Sequence, residues 1–342
     1  MQALIWEGPR TLVMRETVQP VPGPDEVLIK VAYSGICGSE LSGYLGHNSL
    51  RVPPLIMGHE FSGEVVAVGT QVNRQKAELA VGQRVTVNPL IHCGQCRHCV
   101  AGRHNLCLNR QILGIHRPGS FADFVKVPAS AVYPLPNQLS LEHAALAEPL
   151  GCALRAVKLT GATATDSLFI AGLGPIGLLC VMVAKSRGVQ QIVATDTDAD
   201  RRAMGEQLGI QAVDPSVVDV AKFVRETIGS VDVAIDAVGL AVTRKACVDA
   251  VRRGGRVVLV GLHDEESIVQ SNLIVRSEIT VQGSFAYTVP DFEEGLAWLS
   301  AGQLRIDRWL EKAPLNQGGV CFERLLGKPG PVAKILLQSP TF

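Results

Sequence analysis

The sequence predicts a chain of mixed β and α/β class, with an all-β, barrel-like domain joined to an α/β domain built on a parallel sheet. Three observations carry this. The chain has 342 residues, long for one domain and comfortable for two. Residues 1 to about 145 break into short β-type runs between Gly and Pro turns, with no long helical pattern. From Ser167 onward, buried strand-like runs alternate with amphipathic helical runs, the pattern of a parallel sheet covered on both faces.

In chain order, the first half offers strands at Val27–Val31, Gly63–Val68 and Arg84–Val87. The pattern changes near Glu148. Leu168–Ala171 is an apolar strand, Pro175 to about Arg187 a helix, Gln191–Asp196 the next strand and Ala199–Leu208 the next helix. Val217, Val220, Ala221, Val224 and Ile228 recur at helical spacing after Pro215. Val231–Ala237 and Arg256–Val260 are further strands, with Gly254-Gly255 as the turn before the second. Asp291–Ser300 reads as a helix, and Val332–Leu337 as a strand able to rejoin the first domain. The expected division is 1–147 with 287–342, and 148–286.

Composition excludes several classes. Lys plus Arg balance Asp plus Glu, so formal net charge is zero; no field of one sign points to nucleic acid or an anionic membrane. The most apolar stretch, Leu168–Ala184, is shorter than the roughly 20 residues a membrane span needs and holds Gly172, Gly174, Pro175 and Gly177. The first residues have no basic leader, so they do not read as an export signal. Nine cysteines, an odd number without such a signal, point to reduced thiols in the cytoplasm.

Four of these cysteines cluster. Cys93-Gly-Gln-Cys96-Arg-His-Cys99 continues to Cys107. Four thiolates at this spacing can close a tetrahedron around zinc at about 2.3 Å each, and a closed site is structural because no position is open to substrate. Disulfides are opposed by the compartment. An iron–sulfur cluster is the chief rival for four cysteines. A nucleic-acid zinc ribbon normally uses two separated pairs.

Gly172-Leu-Gly174-Pro-Ile-Gly177 follows a strand and opens a helix. That context gives the six-residue pattern its meaning as a dinucleotide-binding turn. The first glycine allows the turn, the second a close approach to pyrophosphate, the third tight helix–strand packing. The helix N-terminus faces the phosphate charge. Asp196, 19 residues after Gly177, is placed to accept from ribose hydroxyls and would repel a 2′-phosphate, which favours NAD over NADP. Arg201 either stacks near the adenine or is a solvated helix residue.

A second metal set is spread over two turns. Cys37 lies in Gly35-Ile36-Cys37-Gly38-Ser39-Glu40, and His59-Glu60 in Gly58-His59-Glu60-Phe61-Ser62-Gly63. Thiolate, imidazole and carboxylate from separate turns suit a catalytic zinc with an open position. A zinc protease motif needs a second histidine where Gly63 stands, so that class is excluded.

Taken together, and in this order, these motifs resemble those of the zinc-dependent medium-chain dehydrogenases, in the branch of polyol, threonine and galactitol-phosphate dehydrogenases. The resemblance spans Cys37-Gly38-Ser39, Gly58-His59-Glu60, the four-cysteine lobe, Glu148-Pro149-Leu150 and Gly172–Gly177. It implies a GroES-like β-barrel catalytic domain and a doubly wound Rossmann domain. Cys37, His59 and Glu60 would hold catalytic zinc, and Glu148 stands where liver-type alcohol dehydrogenases have cysteine. Either Glu60 or Glu148 would complete the set. Pro175, Ile176, Asp196, Arg201, Gly261, Leu262, Ser284 and Phe285 would touch NAD. Zinc lowers the pKa of bound water to about 7 and would act likewise on an alcohol; hydride would pass to the nicotinamide. Ser39 would accept the hydroxyl proton. The partner is a small-molecule alcohol, a polyol or polyol phosphate before threonine or a diol, and the resemblance implies a homodimer or homotetramer. A zinc-free reductase of the same superfold lacks these ligands, and a non-catalytic relative would keep only the lobe zinc.

Three positions depart from the pattern. Ser42 replaces a histidine that often ends the proton relay, leaving His47 or water in that role. Ala286 replaces the arginine of sorbitol dehydrogenases, and Arg155 a common histidine that nothing in the sequence explains. Ser39→Ala is expected to cost far more activity than His47→Ala, measured as NADH formation; equal losses would reject the Ser39 assignment.

Overall fold

Val27, Ile29 and Val31 recur with the period of a strand and enter one core with Phe61, Val65, Val85, Val87, Val125 and Val127. In the computed structural model, which describes residues 1–72, 79–304, 306–340 and 342, they lie on the strand Glu26–Gly35. One edge of this strand carries Glu60–Val68 along most of its length. The other edge is shared. Phe124–Pro128 pairs with its first half, and the C-terminal strand Lys334–Gln338 with its last residues, Leu336 opposite Gly35. The sheet therefore forks at this strand. Arg84–Val87 and Val132–Pro134 extend the Glu60–Val68 side, and Leu310–Pro314 lies beyond Lys334–Gln338. A second core, with Leu4, Trp6, Met57, Phe121, Phe322 and Ile335, lies within the same unit.

That unit is Met1–Glu148 with Thr288–Phe342. The other is Pro149–Tyr287. It holds six strands, all parallel, in the spatial order Gln211–Val213, Gln191–Thr195, Ser167–Ala171, Val231–Asp236, Val251–Leu259, Thr280–Gly283. The chain starts at Ser167–Ala171, winds outward one way, then returns and winds the other way. The carboxyl end of Ser167–Ala171 is the switch point, where ligands bind in such sheets. This is the Rossmann arrangement the sequence predicts.

Some details differ from expectation. The helix placed from Val217 begins at Val220, because Asp219 caps it by accepting from the Lys222 N–H; Val217 is exposed. Gly254-Gly255 is a bulge inside Val251–Leu259 and not a turn before it: the register slips between Val231 opposite Val251 and Val233 opposite Arg256. Tyr287 falls in the second unit, its ring against Gly151 of the helix Ala147–Thr160, and Glu148 in the first. Among the described residues, no helix is long and apolar enough to cross a membrane.

Gly63 ties fold to sequence. It sits opposite Val31, and a Cβ there would lie 2.1 Å from the Lys30 carbonyl oxygen. The position that separates this chain from zinc proteases therefore admits only glycine. Gly63→Ala is expected to lower the unfolding free energy by about 1–3 kcal/mol or more, read from denaturant melts. Gly283→Ala, where a Cβ meets nothing within 4 Å, should stay within about 0.5 kcal/mol. Equal effects would refute the close-approach argument.

Candidate active site

The ladder that joins Glu26–Gly35 to Glu60–Val68 ends with Gly35 opposite Glu60. Two residues beyond Gly35 stands Cys37, the N-cap of the short helix Gly38–Tyr44; one residue before Glu60 stands His59. The register alone thus brings the two turns side by side. Gly58 makes the second turn possible: its φ is +101°, and a Cβ would press within 2.8 Å of the Phe121 backbone nitrogen. Ligand atoms of Cys37, His59 and Glu60 all lie within 4.8 Å of one another. Glu148 is buried and its charge acts on Lys334, but it stands outside that group of three.

Around these residues is a shell of buried charge that sequence reading did not find. Glu40 is fully buried. One of its oxygens accepts from the Cys37 N–H at 2.9 Å, the other from the Gly58 N–H at 2.8 Å. The latter oxygen is also 2.9 Å from His59 Nδ1, which leaves Nε2 as the nitrogen that could coordinate a metal. Burial works against the charged His59 ring, yet Glu40 and Cys37 outweigh it and hold its pKa well above the ordinary value. Burial likewise raises the Glu40 pKa, and His59 with Arg51 more than reverses this. A pocket that favours an imidazolium so strongly favours a metal cation in the same place.

Glu60 faces two ways. Lys334 Nζ donates to both its oxygens, at 2.8 and 2.6 Å, and to the Ile36 carbonyl at 3.0 Å. Burial would lower the Lys334 pKa, but Glu60 and Cys37 raise it overall. Arg51 is also buried. Its guanidinium donates to the Ser39 carbonyl at 2.9 Å and to Ser39 Oγ at 3.2 Å. Ser39 Oγ in turn lies 3.4 Å from Cys37 Sγ, as donor. His47 is exposed.

The cysteine lobe fits its metal closely. Sγ separations are 3.5 Å for Cys96–Cys99, 3.5 Å for Cys93–Cys107 and 4.0 Å for Cys93–Cys99. A tetrahedron with 2.3 Å zinc–sulfur bonds has edges of about 3.8 Å. Backbone N–H donors from Cys99 and Leu108 pull the Cys96 thiol down to about 6, and others lower Cys93. Burial pushes Cys99 up to about 12, and a cation at the cluster would favour its thiolate.

In the parallel-sheet unit, Gly172 has φ +92°, and a Cβ on Gly177 would sit 1.9 Å from the Gly172 carbonyl oxygen. A Cβ on Gly174 would meet only Arg201, at 3.9 Å, so the turn is open there. Pro175 and Ile176 open the helix Pro175–Ser186. Asp196 is buried; one oxygen accepts from the Leu173 N–H at 2.7 Å, the other from the Asp198 N–H at 2.9 Å. Gly261 packs against Val238 and Gly239, Leu262 is exposed, and Ser284 Oγ is buried without a partner among the described residues. Phe285 is half-buried.

Residues 23–137 match the Alcohol dehydrogenase GroES-like domain and residues 175–301 the Zinc-binding dehydrogenase domain. L-galactonate-5-dehydrogenase of Escherichia coli (strain K12) is 32% identical over 91% of this chain and 90% of its own length. The chain belongs to the zinc-dependent medium-chain dehydrogenases. D-arabitol-phosphate dehydrogenase of Enterococcus avium is 34% identical over 94% of this chain and 92% of its own. Among solved structures, a zinc-binding dehydrogenase of Sinorhizobium meliloti 1021 bound to NADP superposes with a TM-score of 0.89 at 33% identity, covering 98% of both chains. An alcohol dehydrogenase of Escherichia coli CFT073 complexed with NADH does so with 0.91 at 29% identity, covering 99% of both. As a zinc-dependent medium-chain dehydrogenase, the chain is an alcohol dehydrogenase using zinc and a nicotinamide cofactor.

Glu40 carried a signal, as the acid three residues after an N-cap position. Lys334 carried a fainter one, a lone lysine in an apolar strand. Arg51 carried none. Lys334→Met is expected to cost the zinc-stripped protein about 3–5 kcal/mol by leaving the Glu60 charge buried and unpaired. The loss should shrink once zinc is restored. Denaturant melts of both forms decide this; an equal loss in each would mean that lysine and metal do not share the carboxylate.

Proposed function

We propose that this dehydrogenase oxidises a secondary alcohol group of a polyol or polyol phosphate to the ketone and passes the hydride to NAD. The observation that carries this reading is the Cys37, His59 and Glu60 set with Ser39 beside it. Zinc held by Cys37, His59 and Glu60 or Glu148 would supply Lewis acidity toward the substrate hydroxyl. Ser39 accepts the hydroxyl proton. Glu40 fixes the ring of His59, and Lys334 holds Glu60 beside the position the metal would occupy. Cys93, Cys96, Cys99 and Cys107 hold a second, structural zinc. On the cofactor side, Gly172, Gly174, Pro175, Ile176 and Gly177 receive the pyrophosphate at a helix N-terminus. Asp196 selects NAD by repelling a 2′-phosphate, and Arg201, Gly261, Leu262, Ser284 and Phe285 line the remainder.

The substrate class is supported by relatives named for galactonate and arabitol phosphate. The second reading, threonine or a 2,3-diol, is favoured by relatives of nearly equal similarity: an L-threonine 3-dehydrogenase at 35% and a (R,R)-butanediol dehydrogenase at 34%. We place the enzyme in the cytoplasm, consistent with nine cysteines of which none forms a disulfide. It would act as a homodimer or homotetramer. The edge strand Thr280–Gly283, exposed at every residue, suits pairing with a second copy.

A panel of polyols, their phosphates, 2,3-diols and threonine, each with NAD and NADP, tests the reading through nicotinamide absorbance. A polyol or its phosphate should give the highest kcat/KM, and NAD should exceed NADP at least about tenfold, equivalent to about 1.4 kcal/mol. Threonine or a diol in first place would transfer the assignment to the second reading. Protein with two zinc ions per chain that reduced neither cofactor with any alcohol would end the catalytic one.

A further inference from the structure

We propose that Arg51 is a positioning residue for the proton step: it holds the Ser39 hydroxyl in its accepting orientation and supplies the fixed partner that the absent relay histidine would otherwise provide. This rests on Ser39 being the proton acceptor.

The argument begins with the hydroxyl. A serine hydroxyl has one proton and two lone pairs. Arg51 Nη2 donates to Ser39 Oγ at 3.2 Å and so occupies one lone pair. Arg51 Nη1 donates to the carbonyl of the same residue at 2.9 Å. Two donors from one planar fork to one residue fix the backbone and the side chain of Ser39 together. One lone pair remains for an incoming proton. The transfer balances at Oγ: the substrate O–H bond breaks, a new Oγ–H bond forms, and the proton that Oγ already carried, directed at Cys37 Sγ at 3.4 Å in this structure, turns away and leaves to water farther out.

Arg51 is always a donor and cannot itself relay a proton. It can stabilise Oγ while the two protons exchange. Its placement is built in. The guanidinium is buried, with Nε unpartnered among the described residues, and burial lowers its pKa against the pull of Glu40 and Cys37. Gly43, next to Ser42 where the histidine is missing, clears its path: a Cβ there would lie 2.5 Å from Arg51 Cδ. His47, the alternative from sequence, is exposed.

Four variants decide the matter: Ser39→Ala, Arg51→Ala, Arg51→Lys and Gly43→Ala, each alone and the last three also combined with Ser39→Ala. Zinc content and melting temperature are measured beside kcat and KM. Arg51→Ala should lower kcat about tenfold to a hundredfold, the scale of a misplaced reacting group, with KM for the alcohol and two zinc ions per chain retained. Arg51→Lys should recover part of this. Gly43→Ala, which keeps the charge but pushes the stem, should lie between. On the Ser39→Ala background all three should change kcat less than about twofold, because residues acting as one unit are not additive.

Full additivity, an unchanged kcat, or loss of zinc with Arg51→Ala would overturn the proposal. If Arg51→Ala does not fold, Arg51→Lys and Gly43→Ala carry the same cycle with the same two outcomes. Ser39→Ala alone separates the failures. If it keeps full activity, the reading of Ser39 falls; if it loses activity and Arg51 proves additive or silent, only the present inference falls.

Discussion

Glu40 is the residue on which the catalytic end of the barrel unit depends. Its carboxylate is fully buried and joins the backbone of two separate turns, through the Cys37 and Gly58 N–H groups, with the side chain of His59. A buried carboxylate is tolerable only when its lone pairs are filled and a cation stands near. Here two backbone donors, the His59 ring 2.9 Å away and Arg51 meet that demand. The same contacts fix the distance between the turns that carry Cys37 and His59, so folding and ligand geometry are one problem with one solution.

Each of two buried carboxylates is matched by a buried cation, Arg51 acting on Glu40 and Lys334 on Glu60. Lys334 occupies both oxygens of Glu60 and so keeps a carboxylate satisfied beside a cation position. A carboxylate held by a lysine at this depth costs far less than one facing only apolar surroundings.

What the sequence made legible was local. Cys93, Cys96, Cys99 and Cys107, and Gly172, Gly174 and Gly177, are set by spacing along one turn, so chain order is nearly geometry. Cys37 and His59 lie 22 residues apart and were legible only as companions of those motifs. Arg51 was not legible and Lys334 only faintly, as a lone lysine in an apolar strand, because their partners are chosen by tertiary packing: Lys334 reaches Glu60 across 274 residues. The same limit shows in the fold. Helical spacing included Val217, but the Asp219 cap started the helix later; Gly254-Gly255 resembled a turn until the neighbouring strand showed a bulge. Period and composition report what a segment prefers; caps and register report what its neighbours allow.

Asp196 shows how far one residue can serve two purposes. Each of its oxygens already holds a backbone N–H, one from the glycine-rich turn and one from the start of the next helix segment. A carboxylate oxygen has a second lone pair, so neither bond removes its capacity to accept from ribose hydroxyls. The bonds instead aim the carboxylate, since both donors are backbone groups that cannot swing away. Arg202 adds to this from behind by donating to the Asp196 carbonyl at 2.8 Å. The carboxylate is thus also a clamp on the glycine-rich turn. A substitution at this position would have to replace the clamp as well as the charge, so its charge is tied to the folding of the turn and is not a detachable surface feature.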